Sequence, residues 1–506
     1  MRSRNALRGM VSSLLLQFVT MACGILLPRL FIGTYGSTVN GSAASITQFL
    51  GYIALFEAGV GGVVRAALYK PLADGDHAAV SSILRATDRF FRKLALIFIG
   101  YAVGVGCVFP FFVREHFDFF FTFSLVLIIA LSTFSQYFFG MSRQVLLQAD
   151  QKRYVTSDLQ IATVLLNTAV CVLLIRLHAP VHVVKLATAL IYALRPIVLR
   201  LYVRKKYDPD RKALPDNAAI AQRWDGFGHH TAFFLHTNTD VFVLTVFSGF
   251  SRALEIADVS VYTVYYSIVA GVEKIAAAFS SGIEAAFGNM IAREETQALQ
   301  RNFAAYEYFS FTLTTLLFTC AGVLLQPFLA IYTRGITDAV YIRPTFGILL
   351  TLAEAVYCIR IPYNNVTLAA GHYRQTRNGA FLEAGINIVL SVALVIPLGL
   401  EGVAVATLAA MVFRTVQYAF YLSGKILHRS VFCFFRRCAI SIVCSGLTVV
   451  ATRLLPMPEL PDYLHWALYG VGVFALCGTI LLVSGLLFDR AALRDILRIF
   501  KRSLGR

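Results

Sequence analysis

The sequence predicts an all-α polytopic membrane protein with about fourteen transmembrane helices, and three observations carry that expectation. Of 506 residues, 58% are hydrophobic and only 14% charged, and the mean hydropathy is +0.68. A soluble domain carries about 25% charged residues and about 45–50% apolar ones. The apolar residues gather in runs long enough to cross a ~30 Å hydrocarbon core, and the basic residues gather between alternate runs.

The runs fall near 10–33, 41–68, 93–113, 119–147, 155–177, 179–203, 226–250, 257–290, 303–332, 341–370, 379–398, 400–424, 432–455 and 463–487. The first follows the basic start "MRSRNALRGM" and imitates a signal peptide. It lacks an A-x-A cleavage site, and Thr20 spoils a lipobox before Cys23, so it reads as an uncleaved first helix. The second carries Glu57 in "LFEAGVGGVVR", whose glycines permit close packing or a bend. The longest polar linker, "RKKYDPDRKALPDNAAIAQRWD" (204–225), separates the sixth run from the seventh, and no loop is long enough for a folded extramembrane domain. In the tenth, Pro362 predicts a break or kink.

Charge orients these spans. With the N-terminus inside, 33 of the 45 Lys and Arg residues fall in inward segments and 8 in outward ones. Those counts take in residues near span ends, and leave Arg195, Lys274, Arg360 and Arg414 deeper within spans. The positive-inside rule then places both termini in the cytoplasm. It also gives the formal charge of +17 a topological meaning, so nucleic acid is not an expected partner. The nine cysteines include no C-x-x-C pair and read as packing residues rather than a zinc or disulfide framework. No metal site and no cofactor are expected, H⁺ or Na⁺ coupling apart. No phosphate-cradling glycine loop is present, which argues against ATP hydrolysis.

An internal repeat adds organisation. "LLQADQKRYVTSDLQIATVLLNTAVCVLLI" (146–175) parallels "TLAAGHYRQTRNGAFLEAGINIVLSVALVI" (367–396), with Ala149 against Ala370 and Arg153 against Arg374. Six spans fit in the offset. Because six is even, the copies insert with the same orientation, and the pseudo-twofold axis lies along the membrane normal. The expected organisation is a six-helix lobe over 1–203, the linker 204–225, a second six-helix lobe over 226–424, and helices thirteen and fourteen with a basic tail over 425–506.

The chemistry lies in polar residues inside the spans, because an ionised side chain at mid-membrane costs about 2.5–3.5 kcal/mol on insertion scales. In "GFGHHTAFFLHTNTDVFVL", His229, His236 and Asp240 fall on one helical face. That stripe reads equally as a hydrogen-bonded structural cluster or as a proton- or cation-responsive site. Span 8 holds Glu273 and Lys274 in "AGVEKIAAAF", and span 10 holds Glu354 and Arg360 in "LAEAVYCIRIPYNN". Lys274 and Arg360 either pair with nearby glutamates or form a cationic patch for an anionic ligand, with arginine suited to bidentate phosphate contacts. Arg29, at the outer end of span 1, snorkels to the interface or joins that patch.

The whole chain resembles the polysaccharide transporter (O-antigen flippase) family, of the superfamily that also contains multidrug-and-toxin extruders and the lipid II flippase. The resemblance rests on Arg29 followed by "GTYGSTVNGSAASITQFLGYIALFEAGVGGVVR", on "TDVFVL", and on "LAAGHYRQTRNGAFLEAGINIVLSVALVIPLGLEGVAVATLAA" (368–410) with Gly399, Gly402 and Ala404. It implies translocation, without covalent chemistry, of an undecaprenyl-diphosphate-linked oligosaccharide across a bacterial inner membrane, for a polysaccharide polymerase machinery to use. Two lobes would rock to give alternating access, coupled to a cation gradient. Carried over by position, Arg29, Lys274 and Arg360 become diphosphate partners. Glu57, His236, Asp240, Glu273 and Glu354 become coupling or gating residues. Glu57 departs from the family, whose members often carry Asp there. A cation-coupled multidrug exporter and a lipid II flippase are the alternatives. A membrane glycosyltransferase, polymerase or ligase is disfavoured by the short outer loops "VREHFD" and "TRGITDAVYIR".

Overall fold

The structure, a computed structural model, describes residues 2–57, 60–210, 213–217, 227–250, 254–280, 283–454, 460–494 and 496. Among them it is helical throughout, with no strand. Eleven helices are long and apolar enough to cross a membrane, and twelve if the bent pair Ser37–Glu57 and Val60–Asp74 counts as one span. The fourteen expected spans thus include two that fall short, the seventh and eighth. Both are diluted by the polar side chains that make them interesting, including Asn238 and Asp240 in one and Glu273 and Lys274 in the other.

Contacts divide the chain into two compact units, 1–264 and 265–506. The first opens with α1 (Arg2–Tyr35), α2 (Ser37–Gly51), the short α3 (Ala54–Glu57), α4 (Val60–Asp74) and α5 (His77–Val108). It continues through α6 (Phe119–Ser135), α7 (Met141–Ala149), α8 (Arg153–Arg176), α9 (Val181–Tyr207) and α10 (Phe227–Ser248) into α11 (Ile256–Ala278). Two helix starts in this unit are set by acidic caps that satisfy free first-turn amides. Asp76 accepts from the Ala79 N–H ahead of α5 at 2.9 Å, and Asp118 from the Phe121 N–H ahead of α6 at 3.4 Å. Between α6 and α7 the chain widens into a π-helical turn, Gln136–Gly140.

Within this unit α1 packs on α8, and α6 on α9. Ion pairs join Arg143 to Asp88 and Lys152 to Asp150, the latter carboxylate also accepting from the Tyr207 hydroxyl. Helix α10 is bonded to α2: Thr245 Oγ1 donates to Ser45 Oγ at 2.6 Å, the Tyr52 hydroxyl to the Asn238 carbonyl at 2.9 Å, and Gln48 Nε2 to Asn238 Oδ1. Gly41 lets α2 reach α11, since a Cβ there would sit 2.0 Å from the Ile256 carbonyl oxygen.

The second unit holds the remainder of α11, then α12 (Ile283–Ala292), α13 (Thr296–Tyr332), α14 (Pro344–Ala369), α15 (Tyr373–Leu398), α16 (Leu400–Lys425), α17 (Phe432–Leu454) and α18 (Tyr463–Phe488). Helix α16 is its centre, packed by both α14 and α15, while α13 carries α17 and α18. The tight α15–α16 corner needs Gly402, where a Cβ would lie 2.2 Å from the Leu394 carbonyl oxygen. Pro362 is accommodated inside α14, which runs on to Ala369 rather than ending there.

Candidate functional site

In the first unit, α3 ends on Glu57, and the π turn aims Tyr137 at it. The Tyr137 hydroxyl donates to Glu57 Oε2 at 3.0 Å. Phe91 and Phe98 pack against the Tyr137 ring and fix its direction. Glu57 and Tyr137 line a cavity of about 430 Å³ together with Gln136, Gln160, Tyr192 and Arg195.

Asp240 is buried on α10, and the Tyr262 hydroxyl from α11 donates to its Oδ2 at 2.8 Å. This bond closes the α10–α11 hairpin and answers in part how a carboxylate is tolerated there, since a buried charge needs donors. The side chain of His236, expected beside Asp240, lies outside the described residues, as does that of His229.

In the second unit Arg360 is only 6% exposed, and its guanidinium donates to Glu383 of α15. Arg414 of α16 approaches the other oxygen of Glu383 at 3.6 Å, donates to the Tyr418 hydroxyl at 3.0 Å, and lies over the Tyr418 ring. Two guanidiniums thus share one carboxylate where α14, α15 and α16 meet. Glu354 is buried on the same helix as Arg360, and it and Glu273 lie within electrostatic reach of Tyr357, whose ring Arg360 covers at 4.8 Å. Lys274 is exposed beside the half-buried Glu273. Arg29 folds along its own helix, its Nη1 3.1 Å from where a Cβ on Gly33 would stand.

The structure therefore brings Glu273, Glu354 and Arg360 into one region, and keeps Glu57, Asp240 and Arg29 in the other unit. Sequence reasoning passed over Glu383, although a carboxylate in the eleventh span is as costly as one in the seventh. It also passed over Glu307, which is fully buried on α13. Glu307 accepts from the Tyr363 hydroxyl, from Arg429 Nη1 at 2.9 Å and from Arg437 Nε at 3.0 Å. Asp489 continues this network, taking Arg436 at 2.7 Å and Arg437 at 3.7 Å.

A second cavity, of about 1090 Å³, opens between α13, α14 and α17. Phe318, Val323, Ile348, Leu352, Ile442 and Val449 line much of it. Its lining is mostly apolar, with Gln326, Arg453 and several threonine and serine hydroxyls among it.

No protein-family profile and no curated protein matches this chain. Among solved structures, a lipid II flippase, MurJ, in an inward closed conformation is similar, with a TM-score of 0.71 at 13% identity over 96% of this chain and 99% of that one. An inward-facing multidrug resistance transporter of the MATE family, of the MOP superfamily, is similar with a TM-score of 0.59 at 13% identity over 82% and 98%. An outward-facing MATE-family transporter gives 0.55 at 13% identity over 87% and 96%. The chain has the multi-pass, all-helical fold of these transporters.

Proposed function

We propose that the chain is a flippase that moves undecaprenyl-diphosphate-linked oligosaccharide repeat units across a bacterial inner membrane, for O-antigen, capsule or exopolysaccharide synthesis. The observation that carries this reading is the apolar cavity of about 1090 Å³ in the second unit, which can take a prenyl chain while charged groups elsewhere take the head. The likeness to a lipid II flippase, extending over 96% of the chain, supports it. In this proposal the lobes 1–203 and 226–424 alternate access, with 425–506 beside the second and both termini cytoplasmic. Arg29 and Lys274 meet the diphosphate, and Arg360 does so by exchanging Glu383 for phosphate. Glu57, Asp240, Glu273 and Glu354, with His236, serve coupling to H⁺ or Na⁺ and gating. A lipid II flippase is the second reading, favoured by the same structural likeness; it shares the lipid and diphosphate and differs in the glycan.

The test is leaflet translocation of a fluorescent undecaprenyl-diphosphate oligosaccharide in vesicles, comparing the wild type with Asp240→Asn. Transport by the wild type that falls in the variant supports both the flippase and the role of Asp240. Equal transport keeps the flippase and leaves Asp240 a structural residue. A preference for the lipid II glycan selects the second reading. No transport of any glycan by folded protein moves the assignment to cation-coupled drug export.

A further inference from the structure

The cavity of the first unit has a composition unlike the apolar one. Among the described residues, one cation, Arg195, and one carboxylate, Glu57, line the same space of about 430 Å³, and no ion pair joins them. Glu57 instead takes the Tyr137 hydroxyl, and Arg195 lies near the Tyr192 ring at 5.9 Å. Around them stand the hydroxyls of Thr20, Ser132 and Thr133 and the amides of Gln136 and Gln160. Leu16, Met141 and Val164 supply apolar patches between these polar groups.

The backbone adds to this wall. The π turn that presents Gln136 and Tyr137 departs from the α-helical pattern, a departure frequent at functional sites. On the facing helix, Pro196 has no N–H to give the Tyr192 carbonyl, so that oxygen lacks its helical donor at the edge of the same cavity. Gln136 is held in place by Gln144, to which its Nε2 donates at 2.9 Å.

These features select a ligand class by exclusion. The lining charges cancel, so a phosphate would meet Glu57 and an ammonium group would meet Arg195. A prenyl chain or an aromatic drug would set apolar surface against the Glu57 carboxyl and the Arg195 guanidinium and satisfy neither, which is costly. What fits is a neutral molecule dense in hydroxyls with a few apolar faces. We propose that this cavity is a carbohydrate site that takes a neutral pyranose unit, with Arg195 and Glu57 bridged through the sugar hydroxyls and the Tyr192 ring against a C–H face. Resting on the flippase reading, the pyranose is part of the oligosaccharide head of the translocated lipid.

Saturation-transfer NMR on the full chain in nanodiscs, with glucose, galactose, rhamnose and N-acetylglucosamine as probes, tests the site without requiring transport. At least one sugar should bind in the range of about 1–10 mM, as expected for so small a ligand. Arg195→Met and Glu57→Gln should each weaken it about tenfold, since each removes charge-assisted hydrogen bonds. Arg436→Gln, on the other unit, should leave it unchanged. Thr133→Val, which deletes one hydroxyl at nearly constant volume, should weaken binding in protein whose Tm matches the wild type, guarding against variants that misfold. No sugar binding, or binding that these substitutions do not move, overturns the site. Slower translocation of the lipid-linked oligosaccharide in the presence of the bound free sugar ties the cavity to the substrate head. Translocation that proceeds unchanged overturns that tie while leaving the flippase itself standing.

Discussion

Single residues set the hardest constraints in this molecule. Glu307 receives two guanidiniums and a phenol while fully buried, so its removal strands two cations among apolar neighbours. Breaking a buried pair by deleting one member costs about 3–5 kcal/mol. Glu307→Gln should therefore lower the unfolding midpoint in detergent sharply, and a midpoint within a degree or two of wild type, on the order of experimental scatter, would remove the network from the stability account. A second constraint is backbone proximity. Gly41→Ala and Gly402→Ala drive a methyl onto carbonyl oxygens at 2.0 and 2.2 Å, whereas Gly385 has nothing within 4 Å. Overpacking of this kind costs about 1–3 kcal/mol or more, so the first two variants should lose folded yield and Gly385→Ala should not. Gly41 and Gly402 stand out in the sequence only as members of a longer pattern. Their reason, two helix backbones in contact, exists only in the fold.

At the scale of elements, helix ends follow local rules that the sequence displays openly. Asp462 begins α18 by accepting from the His465 N–H at 3.0 Å and from its imidazole at 2.8 Å. These bonds, the backbone one foremost, hold its carboxyl below the ordinary aspartate value. A depressed folded pKa means the contribution is present above the unfolded value and is lost as pH falls through the folded one. Hydrogen exchange should then show the first turn of α18 opening under acid conditions, and Asp462→Asn should flatten that response at this turn. Span existence was equally legible, since length and apolarity suffice, and the two spans that fall short do so because polar side chains interrupt them. Partner choice was not legible. Arg360 and Glu383 stand on different helices, and only the packing of α14 and α15 against α16 makes them a pair. Read alone, Arg360 looks available to phosphate; in the fold it is already engaged.

For the whole molecule, charge asymmetry predicts a sidedness that can be checked directly. In a cysteine-depleted background, Ala213→Cys should react with an impermeant maleimide only from the cytoplasmic face, and Asp338→Cys only from the opposite face. Labelling of both from one side would require a different span count. The repeat and the contact units divide the chain differently. The lobes expected from the repeat put α10 with the second half, while the bonds of Ser45, Gln48 and Tyr52 hold α10 against α2 in this structure. If α10 moves with the second lobe during transport, those three contacts are the ones it must exchange.

The charge network around Glu307 also bears on how the last two helices can be treated. They follow the two lobes expected from the sequence, which invites a shortened protein ending after α16. Yet Arg437 lies on α17 and Arg429 in the segment leading to it. Deleting them would leave Glu307 of α13 with the Tyr363 hydroxyl and neither guanidinium, so a shortened chain should give more folded protein with a compensating Glu307→Leu than without it. The final hairpin is less an accessory than a counter-ion delivered by the chain itself.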